Sequence, residues 1–144
     1  MKLPDYVSVK EVAEVCRKLK IRNWTELKKA EVTTQEAEAI LGELETGDMK
    51  ISVENFRIGL EVELEHGIRF PEANVTNNHP ILTGKIVLVH FKETLDYYQR
   101  LEVAEIEGDL LKALVSKNPP KVAAYYQKLL KAKHQLSQSD IEML

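Results

Sequence analysis

The stretch that decides the fold reads FRIGLEVELEHG at residues 56–67 and LTGKIVLVHFKETLDYYQRLEVAEIE at residues 82–107, with a polar loop between the two parts. In the first part, Phe56, Leu60 and Leu64 recur at one-turn intervals, which is the period of an amphipathic α-helix. In the second part, the run IVLVHF is apolar on nearly every side, which is typical of a helix enclosed by neighbours. Together the two parts predict a pair of core helices.

The residues around this stretch set the expected ends of the two helices. The first is predicted to run from Ser52 to His66, with Gly67 as its C-terminal cap, because glycine readily adopts the left-handed conformation that ends helices. The second is predicted to span Leu82–Glu93 and to pack centrally against the first. Three of the four histidines also fall between residues 56 and 107, so ionisable groups gather near this contact.

Shorter helices are predicted on either side of this pair. At three places a serine, asparagine or threonine precedes an acid by three positions, the pattern of a helix N-cap, namely Ser8 and Glu11, Asn23 and Glu26, and Thr33 and Glu36. Gly47 is the expected stop of the third of these helices. After the Pro119-Pro120 pair, a last helix is predicted, and the residues expected to face inward are Val122, Tyr125, Tyr126, Leu129 and Leu130.

The pattern as a whole points to one fold class. No segment shows a convincing alternation of apolar and polar residues, which would mark a β-strand. The sequence therefore predicts an all-α protein, a compact single-domain bundle of about five to seven helices over residues 1–144. Its parts are an N-terminal helical segment at residues 1–33, a core at about 34–107 and a C-terminal helix at residues 119–144.

Composition narrows the class of protein. The net charge is only −3 with both signs interspersed, so the sequence predicts neither a nucleic-acid partner nor binding to a membrane. The single cysteine, Cys16, rules out an internal disulfide and a cysteine-based zinc site, which fits a reducing cytoplasm. No apolar run approaches the ~20 residues of a membrane span, and the first residues lack the apolar core of a signal peptide. We therefore predict a soluble, cytoplasmic protein.

Four ionisable residues occupy positions that face the predicted core. Glu63 lies inside the apolar arc of the first core helix and His66 at its edge, whereas Glu61 is predicted to face solvent. His90 and Glu93 fall on the apolar side of the second core helix. Because burying a charged group is costly unless it has a partner, these four residues are expected to contact one another or supporting polar groups.

The spacing of the four residues is one that metal sites use. Glu63 and His66 lie one turn apart, His90 and Glu93 repeat the pair in reverse order, and di-metal helical bundles carry such pairs. This mixed set of oxygen and nitrogen ligands suits a divalent transition metal, namely zinc, iron or manganese. The side chains predicted to support these ligands are Arg57, Asp96, Tyr97 and Arg100.

Two other interpretations of the same residues stay open. In the first, they form a buried polar network that only specifies packing, within a non-enzymatic interaction or structural module that forms a homodimer. In the second, His90 or His66 acts as a general base that Glu63 orients, without a metal. The sequence assigns no catalytic residue, substrate or protein partner, and it leaves open whether the protein is an enzyme.

The two core motifs resemble a bacterial family of unknown function, DUF5661. Its members typically read FRMGMDVELEHG, TGKIALAHLNE and PDYYTRLE, against FRIGLEVELEHG, TGKIVLVHFKE and LDYYQRLE here, over roughly residues 34–107. The chain departs from that pattern at His79, where an acid is usual before proline, and at Leu95, where proline is usual. The absence of that proline makes a continuous helix through residue 95 more plausible, and the sequence leaves open whether the helix breaks near Thr94 and Leu95. The family has no established activity, so the resemblance implies no mechanism.

Overall fold

The computed structural model describes residues 7–142, and helices make up all the regular structure of that part of the chain. Its six α-helices are α1 (Val9–Leu19), α2 (Thr34–Leu41), α3 (Val53–Arg69), α4 (Pro80–Glu93), α5 (Tyr97–Val115) and α6 (Pro119–Glu142). Two short 3-10 turns, Trp24–Glu26 and Pro71–Ala73, lie between them. The all-α prediction is confirmed. Within residues 7–142, no helix is long and apolar enough to cross a membrane.

These helices form two compact units that divide between Lys92 and Glu93. The first unit holds α1, α2, α3 and all but the last residue of α4, and the second holds α5 and α6. The prediction of one domain over residues 1–144 stays a prediction.

Three helices of the first unit begin where the N-cap residues predict, whereas Asn23 precedes only the 3-10 turn Trp24–Glu26. The side chains of Ser8, Thr33 and Ser52 each accept a hydrogen bond from the backbone N–H three positions later, at 3.2, 3.2 and 3.1 Å. These bonds satisfy donors that the first turn of a helix leaves open. The helices then close a core, whose largest fully buried side chains are Val12, Cys16, Trp24, Ile40, Phe56, Leu60, Leu64, Pro80 and Val87.

Two glycines do not end helices as predicted. α2 is capped by Gly42 rather than stopped near Gly47. α3 continues through Gly67 to Arg69, so Gly67 is not a cap. A β-carbon on Gly67 would lie 2.0 Å from the side-chain oxygen of Asn78, so this glycine allows the following loop to pack closely against α3.

The sequence left open whether the helix continues through Leu95, and the structure shows a break at residues 94–96. Asp96 is only 2% exposed, its carboxylate accepts a hydrogen bond from the Thr94 hydroxyl, and it pairs with Arg100 at 2.6 Å. Because a buried carboxylate requires donors, the turn that brings these groups to Asp96 outweighs the gain from helix continuity.

The second unit is an antiparallel hairpin, α5–α6. Glu107 pairs with Lys133 at 2.7 Å, and Arg100 pairs with Asp140 at 2.6 Å. Residues earlier in α5 therefore pair with residues later in α6, which shows that the two helices run in opposite directions. α6 begins with a proline, because its missing N–H is one that the first turn of a helix leaves unbonded. It continues to Glu142, and residues 143 and 144 of the predicted C-terminal helix lie outside the described part.

Two residues of α6 that were predicted to face inward are exposed. Tyr126 and Leu130 are each 54% exposed, whereas Leu129 and Ala132 are buried. The apolar residues of α6 thus form two rows, and only one of the rows is covered. Apolar spacing alone predicted one broad inner face and did not separate the two rows.

Candidate functional site

The predicted contact between the two core helices places a carboxylate between two imidazoles. Glu63 Oε1 lies 3.5 Å from His90 Nε2 on α4, and Glu63 Oε2 lies 3.8 Å from His66 Nδ1 one turn along α3. The side chains are 15% exposed for Glu63, 26% for His90 and 57% for His66. The cluster is therefore partly buried, with His66 on its solvent side.

Gly84 allows α4 to approach its neighbours this closely. A β-carbon on Gly84 would lie 2.7 Å from the Leu44 side chain and 3.2 Å from the Phe56 ring. Glycine is the residue that permits such a close approach of one backbone to neighbouring side chains. Since Phe56 belongs to α3, Gly84 helps to set the spacing of the helices that carry Glu63 and His90.

The separations within the cluster limit its chemistry. Both exceed the ~2.7–3.2 Å range of hydrogen bonds that involve nitrogen and oxygen. They fit an ion pair, which requires a protonated imidazole. The arrangement thus offers one carboxylate and two imidazoles to a proton or to a small cation.

Glu93, the fourth predicted metal ligand, is the exposed last residue of α4 and follows His90 by one turn. In residues 7–142, no group of three or more histidine, cysteine, aspartate or glutamate side chains is arranged to hold a metal ion. The metal site therefore stays a prediction, in which Glu63 lies within 4 Å of both His66 and His90.

Arg57, predicted to support the cluster, binds two acids of its own helix. Its guanidinium lies 2.7 Å from Glu54 and 2.5 Å from Glu61. Glu61 also accepts a hydrogen bond from the backbone N–H of Val32 at 2.9 Å. The prediction that Glu61 faces solvent was wrong, because the segment before α2 returns to α3 and supplies this donor.

The other three supporting residues lie in the second unit. Arg100 links Asp96 with Asp140, at 2.6 Å from each. Burial raises the pKa of Asp96, but the hydrogen bond from Arg100 and smaller contributions outweigh burial and hold the pKa below its usual value. Tyr97 packs edge to face on Tyr98, with ring centroids 5.2 Å apart. These contacts stabilise the start of α5.

The sequence did not predict a second cluster of polar groups, which surrounds the buried acid Glu36. Glu36, only 3% exposed, accepts hydrogen bonds from Arg22 at 2.9 and 2.6 Å, from Trp24 Nε1 at 3.4 Å and from the Thr33 N–H at 2.9 Å. Burial raises the pKa of Glu36, but the hydrogen bonds from Arg22 and Thr33 outweigh it, so the pKa lies below its usual value. The Thr33 and Glu36 capping box was the only sequence signal for this cluster.

A buried histidine stands at the start of α4. His79 Nδ1 accepts the backbone N–H of Leu82 at 3.4 Å, so the imidazole contributes to the N-terminal end of that helix. Burial lowers the pKa of His79, and the charge of Glu11 partly opposes this shift. The sequence interpretation noted His79 only as a departure from the family pattern.

The fold and these clusters define an all-helical protein whose buried acids are held by arginine, histidine and hydroxyl groups. The chain belongs to the family described as "Protein of unknown function (DUF5661)", whose model matches residues 12–107. The match begins earlier than the region of resembling motifs, and it includes α1 from Val12 onward. Searches of curated proteins and of solved structures found no match.

Proposed function

We propose that this protein is an interaction module that forms a homodimer through one face of the α5–α6 hairpin. The observation that supports the proposal is a row of exposed large apolar side chains on each helix. Exposed apolar patches of this kind on soluble proteins commonly mark interaction sites. We call this surface the hairpin face, and its residues are Leu111, Leu114, Val115, Ala123, Tyr126 and Leu130.

The two rows of the hairpin face adjoin. Ala123, Tyr126 and Leu130 recur at spacings of three and four along α6, so they share one side of that helix. On α5, Leu114 lines a cleft of about 350 Å³ together with Val122 and Ala123 of α6. The cleft joins the rows into one apolar surface near the loop of the hairpin.

A second copy of the chain is the partner that fits this surface best. A pair of antiparallel helices buries only the seam that the two share, and two such hairpins commonly bury their remaining apolar sides as a four-helix bundle. With helices about 10 Å wide, an overlap along the whole ~28 Å of α5 gives roughly 560 Å² per copy, or about 1,100 Å² in total. This total reaches the ~1,000 Å² expected of a specific interface only when the rest of the hairpin packs along with the hairpin face.

Few charged residues lie on the hairpin face itself. α5 is mainly acidic and α6 mainly basic, but by helical spacing only Glu107 and Lys133 among these charges fall on the side of the two apolar rows. Glu107 and Lys133 pair with each other at 2.7 Å within the hairpin, which limits like-charge repulsion at that level. The acids of α5 are Glu102, Glu105, Glu107 and Asp109, and the lysines of α6 are Lys121, Lys128, Lys131 and Lys133.

The test is the mass of the protein in solution by size-exclusion chromatography with light scattering. At a concentration of about 100 µM, which detects dissociation constants up to that order, we expect twice the chain mass of 16.5 kDa. Leu130→Glu buries a charge in the interface and is expected to give the monomer mass. Gln135→Glu is the matched control, because Gln135 is an exposed residue outside the hairpin face.

Two outcomes contradict the proposal. One is a monomer mass for the unmodified chain. The other is a dimer that persists in Leu130→Glu while circular dichroism shows that the variant is folded.

A second candidate function is binding of zinc, iron or manganese at Glu63, His66 and His90. The observation that favours it is the 3.5 Å separation of Glu63 Oε1 and His90 Nε2. Two donors bound to one tetrahedral ion at ~2.0–2.1 Å lie roughly 3.3–3.4 Å apart, so this pair needs little movement to bind. Glu93, one turn after His90, is the further ligand that the sequence predicts.

Metal analysis by inductively coupled plasma mass spectrometry tests this candidate. We expect near-stoichiometric metal in the undialysed protein and a raised melting temperature when zinc, iron or manganese is added. His90→Ala should remove both effects, whereas His134→Ala, at an exposed position of α6, should keep them. Absence of metal together with an unchanged melting temperature would reject metal binding and leave a packing role for the cluster.

A further inference from the structure

We infer that the first unit binds the carboxylate of a small aliphatic acid in a cleft between the end of α1 and the start of α2. The cleft has a volume of about 390 Å³, which lies within the range of small-molecule sites. It shares no residue with the hairpin face or with the cluster of Glu63, His66 and His90. The inference therefore stands apart from both proposed functions.

Arg22 lines this cleft in a fixed orientation. Its Nε and Nη2 atoms donate to the two carboxylate oxygens of Glu36 at 2.9 and 2.6 Å, and Nη2 also donates to the carbonyl oxygen of Glu31 at 2.5 Å. Within residues 7–142, Nη1 donates to no acceptor, and 44% of the Arg22 side chain is exposed. The guanidinium thus keeps two N–H groups for an oxygen atom of a bound molecule, and Glu36 fixes their direction in advance.

Lys20 supplies a second positive group to the cleft. It caps α1 in the left-handed conformation, and the N–H groups of Lys20 and Ile21 bond to the carbonyls of Arg17 and Cys16 at 3.2 and 3.0 Å. These bonds satisfy carbonyl groups that the end of α1 would otherwise present to an anion. Among the described residues, no acid lies within 4 Å of the Lys20 ammonium group, so this group is open to a bound anion.

The start of α2 adds to the attraction for an anion. Gln35 lies in the first turn of α2 and lines the cleft, so the positive end of that helix dipole borders the site. The side chain of Gln35 is exposed, and its amide can donate to a bound oxygen atom.

The charge of the cleft favours a carboxylate over a phosphate. The charged residues that line it are Lys20, Arg22 and Glu36, so two positive groups and one negative group leave a net charge of +1. Glu31, the next acid, is paired with Lys29 at 3.6 Å. A carboxylate matches the charge of +1, whereas a phosphate group carries about −1.5 to −2 at neutral pH.

The apolar residues of the cleft indicate the rest of the molecule. Leu19 and Ile21, both half-buried, also line the cleft. A carboxylate group alone would fill only a small part of about 390 Å³. Because burial of an aliphatic chain against Leu19 and Ile21 is favourable, the expected molecule is an acid with a short chain of this kind.

Titration with butyrate, followed by heteronuclear NMR on the full chain, tests the inference. Trp24 is the only tryptophan, and its Nε1–H donates to Glu36 at 3.4 Å, so its single indole signal reports on the acid that holds Arg22. We expect saturable shifts with a dissociation constant on the order of 1–10 mM. Butanol, which has the same chain without the charge, and sodium chloride at equal ionic strength should cause no saturable shift. Phosphate should bind more weakly than butyrate.

Two variants test whether butyrate occupies this cleft. Lys20→Gln removes one positive group at an exposed position and should weaken butyrate binding about two- to fivefold. Arg22→Lys keeps a positive charge beside Glu36 but removes Nη1, and it should weaken binding about tenfold or more. Lys10→Gln, at the exposed start of α1, is the matched control and should bind butyrate as the unmodified chain does.

Three results would overturn the inference. The first is the absence of a saturable shift up to about 100 mM butyrate. The second is equal binding of butanol or tighter binding of phosphate, which would assign a different class of molecule to the cleft. The third is unchanged binding in both Lys20→Gln and Arg22→Lys while circular dichroism shows that they are folded. If Arg22→Lys does not fold, the result for Lys20→Gln decides.

Discussion

Glu36 and Glu63 are two acids of the first unit that meet basic groups in different ways. Glu36 is buried and accepts hydrogen bonds from Arg22 as short as 2.6 Å, in addition to bonds from Trp24 and Thr33. Glu63 keeps 15% of its side chain exposed, and its histidine neighbours lie at 3.5 and 3.8 Å. The first acid is held by several hydrogen-bond donors, and the second lies beside two ionisable histidines.

The difference indicates that Glu36 has a structural role, whereas the contacts of Glu63 can change with the state of its histidine neighbours. An arginine is always protonated, so the contacts of Glu36 persist over the whole physiological pH range. A histidine, unlike an arginine, is also a common metal ligand, so the contacts of Glu63 can include a bound cation. Depth of burial and the kind of donor, rather than position on the apolar side of a helix, separate the two roles.

Glu36→Ala is expected to have the largest effect on stability. It removes the acceptor for Arg22 and for the buried Trp24 N–H, and it leaves the Thr33 end of α2 without its capping partner. Breaking a buried ion pair on one side costs about 3–5 kcal/mol, and the partial exposure of Arg22 places the expected loss at about 3 kcal/mol. Urea unfolding followed by circular dichroism measures it.

Glu38→Ala is the matched control for that measurement, because Glu38 is exposed on the same helix. A surface substitution of this kind should change the free energy of unfolding by less than about 0.5 kcal/mol. If Glu36→Ala costs no more than Glu38→Ala, the cluster around Glu36 does not hold α2 in place, and the contrast with Glu63 disappears.

The same two acids show how far the sequence predicts this molecule. The N-caps and the two core helices follow from local spacing, and the structure confirms them; it also places His90 of α4 3.5 Å from Glu63 of α3. The partners of Glu36 do not follow from local spacing, because Arg22 lies 14 residues away in an irregular segment without a periodic pattern.

Other departures have the same physical origin in long-range or turn contacts. Glu61 gains a donor from Val32, 29 residues away, so a residue predicted as solvated is bound on both sides. The break before α5 depends on the donors that reach Asp96 once the turn forms. Spacing describes one helix at a time, and these contacts depend on where other segments arrive.

Glu63→Gln is expected to have a smaller effect than Glu36→Ala. The substitution keeps the size of the side chain and removes only its charge, and partly exposed ion pairs contribute ~0–1 kcal/mol. We therefore expect a loss of about 1 kcal/mol or less in urea unfolding at neutral pH. Glu65→Gln, on the exposed side of α3, is the control and should be nearly neutral.

A loss in Glu63→Gln as large as in Glu36→Ala would contradict the comparison, since it would mean that Glu63 is bound as tightly as Glu36. The His90→Ala variant then identifies the partner. If the loss comes from His90, combining the two substitutions should cost less than the sum of the single losses.

His79→Asn is expected to have the smallest effect, and it appears as a change in pH dependence. The pKa of the buried His79 lies below its ordinary value, so in the range beneath about pH 6.5 the unfolded chain binds a proton that the folded chain does not. The free energy of unfolding must then fall as the pH falls through that range, by at most about 1.4 kcal/mol per pH unit. Asparagine removes the titration but keeps a side-chain oxygen that can accept the Leu82 N–H.

The measurement is urea unfolding at several values between about pH 5 and 7, a range above the ordinary pKa of aspartate and glutamate. His79→Asn should flatten the fall in stability across this range, and the same substitution at the exposed His134 is the control. An unchanged slope in His79→Asn would assign the pH dependence elsewhere, and the histidines beside Glu63 would be the next to test. A flattened slope would show that the burial of His79, which has no charged hydrogen-bond donor, makes the free energy of unfolding depend on pH between about 5 and 7. Glu36, which Arg22 holds, is not expected to contribute to that dependence.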